Sequence, residues 1–190
     1  MVLAVEQQPY DLVVLGFNPR EDLPLAEQIL QVGEHHLLLV PGPQTTPLKA
    51  LICVTSGEPG KDDILFAGRL VRHLGADATL LSVLPTANKD SNLLKRTEIF
   101  LEGGVQSLSI LGVPAKTAIR SGLAVDEIKQ EASRGGYDLV VLGLPLAKPS
   151  GKISISGITE ALLNSVTDHA ILVVRSHYLG ARYYPLMKKE

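Results

Sequence analysis

Tyr10-Asp11-Leu12-Val13-Val14-Leu15-Gly16 returns unchanged as Tyr137-Asp138-Leu139-Val140-Val141-Leu142-Gly143, so the chain holds one structural unit more than once. The flanking order repeats as well. After the first heptad, Leu25 to Leu30 leads to the apolar run Leu37-Leu38-Leu39-Val40. After the second, Ile158 to Leu163 leads to Ile171-Leu172-Val173-Val174. Each copy reads as an apolar strand ending in glycine, a polar segment, an amphipathic helix and a second apolar strand. The first copy lies too near Met1 to have a whole unit before it, and Val5 to Gln8 resembles the helix end Lys129 to Ala132. An incomplete copy followed by a complete one is expected. The connectors differ: the segment from Phe17 to Pro24 is short, whereas Leu144 to Ser156 is long enough to meet a ligand.

The 190 residues, 45% of them hydrophobic, suffice for one good core with a smaller attached piece. A net charge of -2 conceals an acidic start: residues 1–45 hold six acids against the single base Arg20, and the remainder holds 17 bases and 14 acids. No dense Lys/Arg run offers the basic face that nucleic acid requires, so nucleic-acid binding is not expected. The single Cys53 sits in the apolar run Leu48 to Val54 and cannot form an intrachain disulfide, which fits a buried structural thiol and a cytoplasmic setting. No apolar run reaches the length of a membrane span.

Pro41 to Pro47 breaks regular structure and divides the copies. Beyond it the pattern predicts a strand at Leu48 to Val54, a turn at Thr55 to Gly60, and a helix through Leu74 ended by Gly75. A strand follows at Ala78 to Leu84, a helix from about Ser91 to Leu111, and a strand at Ala115 to Arg120. A helix at Val125 to Ala132, the second heptad strand, a helix from Gly157 to Val166 and a strand at Ala170 to Val174 complete the unit. Strands apolar on both faces, alternating with helices, predict an α/β fold with a parallel sheet covered on both sides, and binding functions beyond its carboxyl edge. The domain boundaries are a partial unit at 1–42, a linker at 43–47, a complete unit at 48–176 and a Tyr-rich tail at 177–190.

From Leu48 to Arg175 the residues resemble the universal stress protein family. The signals are the opening strand with its Thr55-Ser56-Gly57-Glu58-Pro59 turn, the strand Tyr137 to Gly143, and the closing Gly157 to Val174. The resemblance implies a Rossmann-like open parallel five-stranded sheet of order 3-2-1-4-5, and an adenine-nucleotide site for ATP or AMP. Carried onto this sequence, that site comprises Thr55, Val83, Gly143, Lys152, Ser156 and Gly157. The chain departs from the family pattern where it matters for phosphate. Thr55 stands where nucleotide-binding members end the first strand with aspartate. The family loop runs glycine, two residues, glycine, nine residues, glycine, then serine or threonine; here Leu146 replaces the second glycine, ten residues separate it from Gly157, and Ile158 replaces the hydroxyl residue. Leu146 crowds the backbone approach to phosphate and Ile158 removes a donor. Lys148, Ser150, Lys152, Ser154 and Ser156 nevertheless place two cations and three hydroxyls in the connector.

Neither Gly60-Lys61-Asp62 nor Gly151-Lys152-Ile153 has the glycine spacing or the following Ser/Thr of a nucleotide hydrolase loop. No catalytic residue, metal ligand or enzymatic activity is expected. His35 and His36, adjacent at a strand start, and His169, in the equivalent place of the second copy, read as surface or interface residues. Family members often pair through their last strands, so Leu37 to Val40 is expected antiparallel to Ile171 to Val174, leaving Asp11 to Leu15 on an edge. A second protomer, as in a homodimer, or residues of a longer parent preceding Met1 would cover it. Three functions stay open: a free-standing stress-response regulator that senses an adenine nucleotide or other anion, a cytoplasmic regulatory module tethered to the membrane through a parent transporter or channel, and a structural dimerisation module.

Overall fold

The computed structural model describes residues 10–33, 35–42, 46–55, 58–86, 91–144, 155, 157–165 and 168–175. Both heptads form strands, β1 (Leu12–Gly16) and β6 (Leu139–Gly143). The first is followed by α1 (Pro19–Gln31) and β2 (His36–Val40). Between the copies lie β3 (Lys49–Cys53), α2 (Glu58–Leu74), β4 (Asp77–Leu84), α3 (Ser91–Ile110), β5 (Ala115–Ser121) and α4 (Ala124–Gly135). After β6 come α5 (Ile158–Leu163) and β7 (Ala170–Val174).

The strands make one mixed open sheet of order β1-β2-β7-β6-β3-β4-β5. All neighbours run parallel except β2 and β7. The repeat explains how that one antiparallel pairing arises. Leu12 pairs with His36 and Leu139 with Ala170, so β2 and β7 occupy the same place in their copies. They meet as Leu37↔Val173, Leu38↔Leu172 and Leu39↔Ile171, a local two-fold arrangement centred on Leu38 and Leu172. The expected antiparallel join of the last strands is therefore the seam of the molecule.

Alternation along the strands sends side chains to two cores. Leu51, Val140, Leu142, Ile171, Val173, Leu37 and Leu39 pack against Ala26, Ile29 and Leu30 of α1, Ile128 and Ala132 of α4, and Leu162 and Leu163 of α5. Ala50, Ile52, Leu139, Val141, Ala170 and Leu172 pack with Ile64, Ala67 and Val71 of α2 and Leu101 and Leu108 of α3 on the opposite face. The first of these cores draws on both copies.

Three helices differ from the sequence pattern at their ends. In α1 the residues expected in the connector are helical from Pro19 on. Asn18 precedes the helix, its N–H donating to Asp22 Oδ2 at 2.7 Å and its carbonyl accepting from Glu21 and Asp22. Pro19 lies in the first turn, where its missing donor costs nothing, and Pro24 is carried inside the helix by burial of Ala26, Ile29 and Leu30. Likewise α2 starts at Glu58, within the expected turn, with Pro59 in its first turn. The last helix is shorter than expected. It stops at Leu163, where Ser165 Oγ donates to the Ala161 carbonyl at 2.6 Å and Ser165 N–H bonds the Leu162 carbonyl, tightening the end.

Candidate functional site

The carboxyl edge of β3, β4 and β6 brings three of the sequence-predicted residues to one rim. Cys53 pairs with Leu81 and with Leu142, so Val54 stands level with Gly143 and Thr55, one residue on, continues in line with Val83. Thr55 is exposed and Val83 half-buried. Gly157 precedes α5 with φ +65°, a conformation that glycine adopts without strain, and no side chain caps the helix there. Ile158 is exposed. Lys152 and Ser156 lie outside the described residues, as do Leu146 and most of the connector between Gly143 and Gly157.

Two carboxyl groups that sequence reasoning did not place at this rim stand at the two ends of the connector. Asp63, buried on α2, lies against Gly143: a methyl group there would collide with Asp63 Oδ2 and sit 3.0 Å from its Cγ. A side chain at 143 would therefore displace the Asp63 carboxyl. At the other end Ile155 N–H donates to Glu27 Oε1 at 2.9 Å, and the Ile155 side chain is buried in the core shared by the two copies. The helix that follows the first heptad thus holds the segment before α5. Asp63 was legible only as negative charge near a helix start, and nothing in the local sequence of Glu27 points to a contact 128 residues away.

The seam beside this rim is stitched by histidine and arginine. Arg175 N–H donates to His36 Nδ1 at 3.0 Å, which requires that nitrogen to be unprotonated. The His36 ring packs on Phe66 of α2, with centroids 3.4 Å apart and planes tilted by 30°. Arg175 Nη1 donates to the Leu30 carbonyl at 2.9 Å. The last turn of α1 holds no basic residue of its own, so a cation from the other copy meets the negative end of its dipole. Both His35 and His36 are buried, so of the surface or interface roles open to them they take the interface. Burial, reinforced by the Arg175 charge, lowers the His35 pKa against the opposing pull of a hydrogen bond to the Ile29 backbone. The His35 Nε2 and His169 Nδ1 atoms are buried with no hydrogen-bond partner among the described residues.

Burial pushes the Cys53 thiol well above its ordinary pKa, with the Glu131 charge adding to the effect, which keeps it protonated and unsuited to nucleophilic attack. Among the described residues no group of three or more His, Cys, Asp and Glu is placed to hold a metal, and no helix is long and apolar enough to cross a membrane. On the α2 and α3 face a cleft of about 450 Å³ is lined by Ile64, Leu65, Ile99 and Phe100, with Lys61 and Arg96 among its walls. None of the predicted site residues lines it.

No protein-family model and no curated protein matches the chain. Among solved structures, the fold is that of universal stress proteins. One such protein, solved in complex with cAMP, superposes with a TM-score of 0.59 at 14% identity over 70% of this chain and 100% of its own. The universal stress protein of Archaeoglobus fulgidus in complex with dAMP gives 0.53 at 12% identity over 70% and 100%. A putative universal stress protein from Pseudomonas aeruginosa UCBPP-PA14 gives 0.67 at 18% identity, covering 99% of this chain and 71% of that one. At these identities the likeness is one of fold.

Proposed function

We propose that the chain is a non-catalytic regulatory domain that takes up an adenine nucleotide at the rim formed by Thr55, Val83 and Gly143 and transmits occupancy to the seam between its two units. The hydrogen bond from Ile155 N–H to Glu27 carries this reading, because it ties the segment beside the ligand rim to a helix of the other unit. A ligand that shifts the connector alters the packing of α1, and α1 is in turn held by Arg175. The same-fold proteins solved with cAMP and dAMP support a ligand of this class.

Lys152, Ser156 and the Gly157 backbone supply the phosphate contacts. Calorimetric titration with AMP, cAMP and ATP tests the proposal. Saturable binding of at least one of them is expected, and Lys152→Ala is expected to weaken that binding about tenfold or more. Absence of heat with all three at millimolar concentration overturns the ligand reading and leaves the structural dimerisation reading in its place.

A further inference from the structure

The two heptads are identical in sequence and opposite in surroundings. In the second copy Asp138 Oδ2 accepts the backbone N–H groups of Leu48 and Lys49, both at 3.0 Å, and so seats the start of β3 against β6. The strands then run parallel as Ala50↔Leu139, Leu51↔Val140, Ile52↔Val141 and Cys53↔Leu142. On its other side, Asp138 offers its carbonyl to Ala170 N–H at 3.2 Å. Asp11 reproduces that second contact, accepting from His36 N–H at 2.9 Å, and β1 pairs with β2 as β6 pairs with β7. The first contact has no counterpart among the described residues. β1 ends the sheet, and the Asp11 side chain is exposed.

Among the described residues no helix covers β1 as α2 covers β6. α2 buries Val141 completely, whereas Val14, its counterpart on the corresponding face of β1, is 58% exposed. Backbone edge, carboxylate and apolar surface thus all stay open on the one side that β3 and α2 cover in the other copy.

We propose that the β1 edge is a docking site for a parallel β-strand of another polypeptide, one of the same chemistry as Leu48 to Cys53: apolar on both faces, with two leading N–H groups that seat on the Asp11 carboxylate. Because β1 and β6 carry the same seven residues, the strand that fits β6 fits β1 in the same register. Main-chain hydrogen bonds supply the affinity, and Asp11 sets direction and register. Docking at this edge needs no nucleotide at the rim of β3, β4 and β6.

The probe is a labelled peptide of residues 46–54 with Cys53→Ser, titrated into the full chain by fluorescence anisotropy, with hydrogen exchange of the β1 amides followed in parallel. Saturable binding that slows exchange across Leu12 to Gly16 is expected. Asp11→Ala weakens it by about tenfold or more, Asp11→Asn, which keeps an acceptor oxygen, retains most of it, and a Leu51→Pro peptide does not bind. Circular dichroism verifies that each variant of the chain is folded. Binding unchanged by Asp11→Ala, or no saturable binding, overturns the proposal. So does full protection of the β1 amides in the chain alone, which assigns the edge to a second copy or to another segment of this chain.

Discussion

Asp138 and Asp11 show how much of a side chain's energetic worth comes from what stands next to it. Asp138 satisfies two backbone donors that open β3, and hydrogen bonds to a charged acceptor count for more than neutral ones. Asp138→Ala is expected to lower stability by about 1.5 kcal/mol or more, whereas Asp11→Ala in the chain alone stays within about 0.5 kcal/mol. Parallel urea denaturations of the two variants measure the difference. His35 acts at the same scale. It is held neutral by burial, with a folded pKa below the ordinary 6.5, so its contribution to stability is full above that value and is lost as pH falls below it. Thermal melts between about pH 7 and pH 5 are expected to show a falling Tm in the wild type and a flatter profile in His35→Leu. An unchanged slope would show that other groups set the acid sensitivity.

At the level of elements, strands were legible and helix ends were not. Runs such as Leu139 to Gly143 and Ala170 to Val174 are apolar at every position, short and rich in valine, which suits a strand buried on both faces. The antiparallel join of β2 to β7 was expected from the resemblance to a family whose members pair through their last strands, and the repeat identified which two strands those are. Helix ends depend on weaker and more distant terms. Pro24 argues against a helix through 19–31 on local grounds, yet burial of Ala26, Ile29 and Leu30 against the seam outweighs one lost hydrogen bond. In α5 the apolar pattern continues beyond Leu163, and the Ser165 hydroxyl ends the helix there. The seam itself is testable. Leu39 is buried between α1 and β7, and Leu39→Ala is expected to cost about 2–5 kcal/mol in denaturant unfolding. A cost under about 1 kcal/mol would show that the β2–β7 join contributes little to holding the units together.

Across the whole molecule the strands of both heptad copies form a single sheet with a shared core, so a contact at one copy can change the other. Glu27 reaches the connector, Arg175 caps α1, and His36 lies on Phe66. Of the candidate site, Thr55, Val83 and Gly143 were named through the family resemblance, and the sheet places them near the carboxyl ends of β3, β4 and β6. The carboxylates that face the rim were not legible. The pairing of Asp63 with Gly143 and of Glu27 with Ile155 has no periodicity and spans up to 128 residues of chain. The amino-acid sequence by itself determined the class of fold, the duplication, and the identity of the strands that would meet, since hydrophobic periodicity and repetition are local and cumulative. Only the tertiary structure decided which copy of the heptad is covered, which strand ends the sheet, and which acids stand against Gly143 and Ile155. Those outcomes depend on single contacts between residues far apart in the chain, and identical local sequences, as in the two heptads, carry no information about what packs beside them.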